Sequence, residues 1–216
     1  MHIGVAGNIG AGKTTLTEML AKHYGWEPKF EAVSYNPYLE DYYKDIERWS
    51  FNLEVYFLKQ RFIDILDIAR CGHTVIQDRS IFEGVYIFVA NNYAQGNLSK
   101  RDFETIMCLF EQMMELVKVP DLMIYLRASL PHLIGNIQKR GRELESSIRL
   151  DYLTNLNLRY EQWADQYEGK MLVVDTDELD FVERREDLGR VIEKIDAEFN
   201  SLFAAQQQKE NKEEQE

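Results

Sequence analysis

Cysteine is nearly missing from this chain: only Cys71 and Cys108 occur in 216 residues. Two thiols without metal-type spacing exclude a disulfide scaffold and a zinc ribbon, and are expected to be buried and reduced. Basic residues are the second deficit, with 25 Lys plus Arg against 37 Asp plus Glu and a net charge of −12. Such a surface repels phosphodiester backbones, which argues against a nucleic-acid polymer as partner. A small anion would need a locally basic, amide-rich pocket. No apolar run reaches the ~18 residues of a membrane span. No basic segment precedes the apolar Ile3 to Ala6, so a secretory leader is not expected and the cytoplasm is. The four histidines, His2, His23, His73 and His132, are scattered. No serine or cysteine triad is readable, and the histidines are assigned no role.

What is present is an ordinary globular mix, 45% apolar and 29% charged, of a length that fits one α/β domain. Short apolar segments predict buried strands at Ile3 to Ala6, Thr74 to Ile76 (ending at Gln77 and Asp78), Leu122 to Leu126 and Met171 to Val174. A further short strand is expected at Lys29 to Val33. Between them lie helical patterns. Thr14 to Tyr24 places Leu16, Met19 and Leu20 on one face, with Gly25 as C-cap. Trp49 to Arg70 is apolar nearly all round, so it is either central to the core or covered by a partner subunit. Ser99 offers an N-cap for a helix bearing Phe103, Ile106, Phe110 and Met114, and Pro120 stops it. Strands alternating with helices indicate a parallel sheet with right-handed crossovers. The domain is expected over residues 1–204. The polar, charged tail 205–216 has no apolar periodicity and is expected to be disordered.

Gly7-Asn8-Ile9-Gly10-Ala11-Gly12-Lys13-Thr14 matches G-x-x-x-x-G-K-[ST], directly after a predicted strand and before a predicted helix. Glycines let the backbone curl so that successive N–H groups face a phosphate, and the helix N-terminus adds positive potential. Lys13 would reach the outer phosphates, and the Thr14 hydroxyl could ligate Mg²⁺. The loop names a nucleoside triphosphate and little more. GTPases, ATPases and nucleotide or nucleoside kinases all carry it.

Further motifs narrow the choice: Asn36-Pro37-Tyr38-Leu39, Tyr43-Lys44-Asp45, Trp49-Ser50-Phe51, Asp78-Arg79-Ser80 and Arg140-Gly141-Arg142. In this order and spacing the chain resembles the deoxynucleoside kinase family, on its deoxyguanosine/deoxyadenosine kinase branch, from Ile3 to about Phe181. The resemblance implies a three-layer phosphate-loop NTPase fold, a five-stranded parallel sheet flanked by helices with a lid near Arg140. It implies transfer of γ-phosphate from Mg·ATP to the 5′-hydroxyl of a purine deoxynucleoside, in nucleotide salvage. A helical homodimer is expected, pairing the Trp49 to Arg70 helix with the helix that follows Ser99.

The resemblance also implies roles. Glu31, at the end of the second predicted strand, would accept the proton of the attacking hydroxyl. Asp78 would sit on the metal side opposite Thr14, and Arg79 would serve the transferring phosphoryl group and hold Glu31. The chemistry also allows Asp78 as base. Arg140 and Arg142 would close over the ATP phosphates, although Asn136 stands where some relatives carry another arginine. Tyr43 and Glu145 match residues that hold the 3′-hydroxyl in relatives, with Tyr42 an adjacent competitor.

Base choice would rest on Glu54, where many relatives carry Gln, and on Arg61, two helical turns further along the same face. A carboxylate accepts and does not donate. Guanine presents two adjacent donors, whereas adenine and cytosine present a donor beside an acceptor. An arginine can donate to guanine N7 and O6, so Glu54 with Arg61 favours deoxyguanosine, deoxyadenosine next. Gly84 stands where several relatives place an Asp that touches the base. Phe88 and Phe51 are candidate stacking walls. The rival readings are a thymidylate-type deoxynucleoside monophosphate kinase, which needs more basic residues than the acidic Glu31–Asp45 region offers, and a nucleotide-binding switch. A GTPase-type switch would carry N-K-x-D, which is absent.

Overall fold

Four apolar segments become strands of one parallel sheet, and a fifth strand forms slightly before its expected place. The computed structural model describes the backbone of residues 1–31, 36–141 and 148–213, with side chains as far as Ser201. The order is β1 (His2–Gly7), α1 (Lys13–Tyr24), β2 (Glu27–Lys29), α2 (Leu39–Lys44), α3 (Ile46–Arg70), β3 (Val75–Asp78) and α4 (Ile81–Glu83). A π-helical stretch (Gly84–Val89) and α5 (Ala90–Ala94) continue it. Then come α6 (Lys100–Met114), β4 (Leu122–Arg127), α7 (Leu130–Arg140), α8 (Leu150–Gln166), β5 (Met171–Asp175) and α9 (Arg185–Glu213).

The sheet order is β2-β3-β1-β4-β5, and every pairing is parallel. The chain leaves β1 for one side of the sheet and returns across it to β4. At such a reversal the crevice outside the strands' carboxyl ends is where ligands bind. β1 and β3 end side by side, with Val5 opposite Asp78, so the phosphate loop and Asp78-Arg79 leave the sheet at one place.

Alternation along the strands feeds two apolar layers. Ile3, Val5, Leu122, Ile124 and Leu126 pack with Leu16 and Leu20 of α1 and with Val191 and Ile195 of α9. Met123 and Tyr125 point the other way, onto Leu58 and Ile65 of α3 and Leu156 and Tyr160 of α8. Each fully buried side chain of this kind contributes about 1.5–3 kcal/mol. On α3 the buried stripe includes Leu53, Glu54, Leu58, Arg61 and Ile65, so a carboxylate and a guanidinium occupy core-facing positions.

Two expectations change. β2 lies at Glu27–Lys29, not Lys29 to Val33, and 32–35 fall outside the described residues. It pairs only with β3, and a sheet edge tolerates Pro28. Pairing ends where β3 turns off at Arg79. The thiols are not buried: Cys71 is half-buried and Cys108 exposed. Cys108 lies about two residues round α6 from the buried Ile106 and Phe110, which puts it on the opposite face. α9 runs to Glu213. Among the described residues no helix is long and apolar enough to cross a membrane.

Candidate active site

The loop after β1 turns through Gly10 (φ 85°) and Gly12 (φ 91°), backbone conformations that L side chains rarely adopt. A Cβ on Gly10 would meet the Leu133 carbonyl oxygen at 2.7 Å, and one on Gly12 would meet Phe181 at 3.1 Å. The loop is braced from both sides. Asn8 donates to the Leu153 carbonyl at 3.2 Å and to Asn157 Oδ1 at 3.1 Å. Asn136 Nδ2 donates to the Gly10 carbonyl at 2.8 Å and so props the loop itself. Lys13 Nζ donates to the Asn8 carbonyl at 2.9 Å. Burial, then the nearby Arg79 cation, lowers its ammonium to about 8.

Beside it, Thr14 Oγ1 donates to Asp78 Oδ2 at 2.6 Å. The other oxygen, Asp78 Oδ1, is buried without a hydrogen-bond partner. A hydroxyl and an orphaned carboxylate oxygen at a phosphate loop form the hard-oxygen set that suits Mg²⁺.

Arg79 has a left-handed backbone (φ 70°), a strained state for a side chain of this size. It is held there from several directions. Its amide donates to the Val5 carbonyl at 3.0 Å, Nη1 to the Tyr160 hydroxyl at 2.8 Å and Nε to Glu31 Oε2 at 3.1 Å. Its guanidinium lies over Phe88, 4.7 Å from the ring centre. Tyr160 in turn donates to Glu83 Oε1 at 2.8 Å. Glu83 also accepts from the Gly7 amide at 3.2 Å and the Ser80 amide at 2.7 Å, tying the phosphate loop to the end of β3. Glu31 binds a second guanidinium, that of Arg61. Burial alone would push the Glu31 carboxyl up, but Arg79 and Arg61 outweigh it and hold it below the usual carboxylate value.

These groups line one cavity of about 1370 Å³. Lys13, Thr14, Asp78, Arg79, Glu31 and Arg140 share its wall with Tyr42, Tyr43, Glu54, Arg61 and Phe88. Phe51 is instead half-buried and packs against the apolar layer under α3. Glu54 is 4% exposed and accepts from Asn92 Nδ2 at 2.8 Å. Burial pushes its carboxyl up to about 7, against the pull of Arg61 and of the Asn92 bond. Arg61 directs its ion pair to Glu31 rather than to Glu54, and its buried Nε is an unused donor. Gly84 makes room for it: a Cβ there would stand 2.4 Å from Arg61 Nη1. Of the two tyrosines, Tyr42 is buried and donates to Asn92 Oδ1 at 3.2 Å, while Tyr43 is 39% exposed. Arg142 and Glu145 lie outside the described residues.

Sequence reasoning missed Glu83, Asn92 and Tyr160, and also Tyr152, which lines the cavity. The signal for Asn92 was an amide pair, Asn91-Asn92, closing the apolar run from Ile81. Both amides are buried, where an amide needs partners.

Fold and site together define a phosphate-loop phosphotransferase whose nucleotide loop and acceptor pocket share one cavity. The deoxynucleoside kinase sequence pattern matches residues 3–200, and the chain belongs to that family. It is 37% identical over 196 residues to the deoxyadenosine/deoxycytidine kinase of Bacillus subtilis (strain 168), covering 89% of this chain and 90% of that one. It is likewise 37% identical over 199 residues to the deoxyguanosine kinase of the same strain, covering 88% and 93%. The structure of deoxyadenosine kinase from M. mycoides with bound dATP superposes with a TM-score of 0.80 at 33% identity, over 91% of this chain and 100% of that one. The protein is a deoxynucleoside kinase.

Proposed function

We propose that this kinase phosphorylates the 5′-hydroxyl of purine deoxynucleosides with ATP, deoxyguanosine first and deoxyadenosine next. The observation that carries the reading is the shared wall: Glu54, an acceptor-only side chain when ionised, lines the same cavity as Lys13, Thr14 and Asp78. Glu54 accepts from the two adjacent donors of guanine, and Arg61, which lines the same cavity, offers guanidinium N–H donors to the same base. Relatives named for deoxyadenosine, deoxycytidine and deoxyguanosine span the alternatives.

Glu31 is the proton acceptor. Two guanidiniums keep it ionised at neutral pH, the state a base requires. Arg79 faces the transferring phosphoryl group, and Lys13 the outer phosphates. Thr14 and Asp78 would hold Mg²⁺, which neutralises charge on the phosphates when bound. Arg140 and Arg142 close over ATP, while Tyr43 and Glu145 hold the 3′-hydroxyl. Catalysis is then positioning and charge neutralisation. The enzyme forms a homodimer through the outer faces of α3 and α6, where Ile63 and Leu109 are each 40% exposed. Light scattering of the purified protein reads that directly.

The test of base choice is Glu54→Gln, which turns one acceptor into a donor at nearly constant volume. A good bidentate contact is worth about 1–3 kcal/mol, so kcat/KM should move from deoxyguanosine toward deoxyadenosine by roughly 5- to 150-fold. An unmoved ratio removes Glu54 as the base reader.

A further inference from the structure

Phosphoryl transfer leaves one polar chain in the cavity unexplained. Tyr42 donates to Asn92 Oδ1 at 3.2 Å, and Asn97 Nδ2 donates to the same oxygen at 3.3 Å. Two donors on that oxygen fix the orientation of the amide. Its NH₂ therefore faces Glu54, and Nδ2 donates to Oε1 at 2.8 Å. Asn92 and Glu54 are 2% and 4% exposed, so water competes little for these bonds. An oxygen already accepting an N–H is the poorer place for a proton. A proton taken up by this carboxyl goes to Oε2.

We propose that Asn92 is a specificity-positioning residue that, by holding Oε1, makes Glu54 a two-state reader of the base. The carboxylate accepts from the two adjacent donors of a guanine edge. The acid accepts at Oε1 and donates from Oε2–H, matching the donor beside an acceptor of adenine or cytosine. The proposal rests on Glu54 facing the base.

The surroundings place both states within reach. Facing Glu54 are Arg61 on its own helix, Glu31 beyond β2, Arg79 after β3, Tyr42 on α2 and Tyr152 on α8. Burial and Glu31 disfavour the carboxylate, while Arg61, Arg79 and the Asn92 bond favour it. Arg61 gives its ion pair to Glu31, so among the described residues no cation forms an ion pair with Glu54, and Arg61 and Arg79 act on it only from a distance. The balance falls at about 7. Below that pH the acid predominates and adenine is matched; above it the carboxylate predominates and guanine is matched.

The experiment is kcat/KM for deoxyguanosine and deoxyadenosine from about pH 5.5 to about pH 8.5 in wild type, Glu54→Gln, Asn92→Ala and Tyr42→Phe. In wild type the guanine-to-adenine ratio should rise with pH, by up to about tenfold per unit. In Glu54→Gln it should be independent of pH and on the adenine side. Removing the Asn92 donor takes away a bond that favours the carboxylate, so the transition should move to higher pH. Tyr42→Phe, which only loosens Asn92, should move it less and keeps the test open if Asn92→Ala does not fold. A merely structural Asn92 would leave the transition in place. A flat wild-type ratio, with Glu54→Gln still changing the preference, overturns the two-state reader and spares Glu54 as the base residue. A ratio unmoved by Glu54→Gln at every pH overturns that underlying reading as well.

Discussion

A methyl group added at Gly84 would lie 2.4 Å from Arg61 Nη1, whereas ordinary contact begins near 3.4 Å. In Gly84→Ala the guanidinium must therefore retreat by about 1 Å. The backbone raises no objection. Gly84 is helical (φ −53°, ψ −50°), and Ala is better than Gly in a helix by about 0.5–1 kcal/mol. Arg61, however, is held by Glu31 and by the face of Phe57, 4.9 Å from the ring centre. Its displacement leaves Glu31 with Arg79 as its remaining guanidinium partner and shifts the proposed proton acceptor. Misplacement of a reacting group by about 1 Å can cost on the order of 10²-fold. The expected result is a protein within about 1 kcal/mol of wild-type stability. Its kcat/KM for deoxynucleoside should be about 10- to 100-fold lower, with the KM for ATP unchanged. Coupled detection of ADP and a denaturant melt measure both. Full activity in a folded Gly84→Ala protein would show that the Gly84–Arg61–Glu31 arrangement does not position the chemistry.

Glu31→Gln should lower kcat by roughly 10²–10⁴ with little change in ATP affinity. If Asp78→Asn gives that loss with Mg²⁺ dependence unchanged, while Glu31→Gln is mild, the two carboxylates exchange roles. Burial in β1 lowers His2 from 6.5 to about 4. Between those values the unfolded chain takes up a proton that the folded chain refuses, so stability is intact above about pH 6.5 and falls as pH drops toward 4, by up to about 3 kcal/mol. Urea melts at several pH values should show that slope, reduced in His2→Asn. An equal slope in both proteins would place the acid sensitivity elsewhere.

The phosphate loop was legible because its eight residues are contiguous and their chemistry is local. The central strands were legible because burial on both faces writes an unbroken apolar run. β2 was not: Glu27-Pro28-Lys29 carries no such run and is a strand only because β3 lies beside it. The segment from Ile81 to Ala94 is rich in aliphatic and aromatic residues that suit strands, yet it folds as helix around a π-helical turn. Capping by Glu83 and packing against α3 and α8 override that propensity. In the site, helical spacing put Arg61 on the same face as Glu54. The structure pairs it with Glu31, 30 residues away in sequence. Asn92 bonds Glu54 from 38 residues away and Tyr160 bonds Glu83 from 77. No spacing rule in one sequence reaches such partners.

The most direct measurement of the central claim is nucleoside-dependent ATP consumption. It takes a panel of four deoxynucleosides plus guanosine and adenosine, with Mg²⁺, and chromatography to identify the product. The account predicts 5′-monophosphates, deoxyguanosine the best substrate at alkaline pH with deoxyadenosine next, and loss of all turnover in folded Lys13→Ala. Preference for a pyrimidine deoxynucleoside across the pH range, or undiminished turnover in Lys13→Ala, would contradict it.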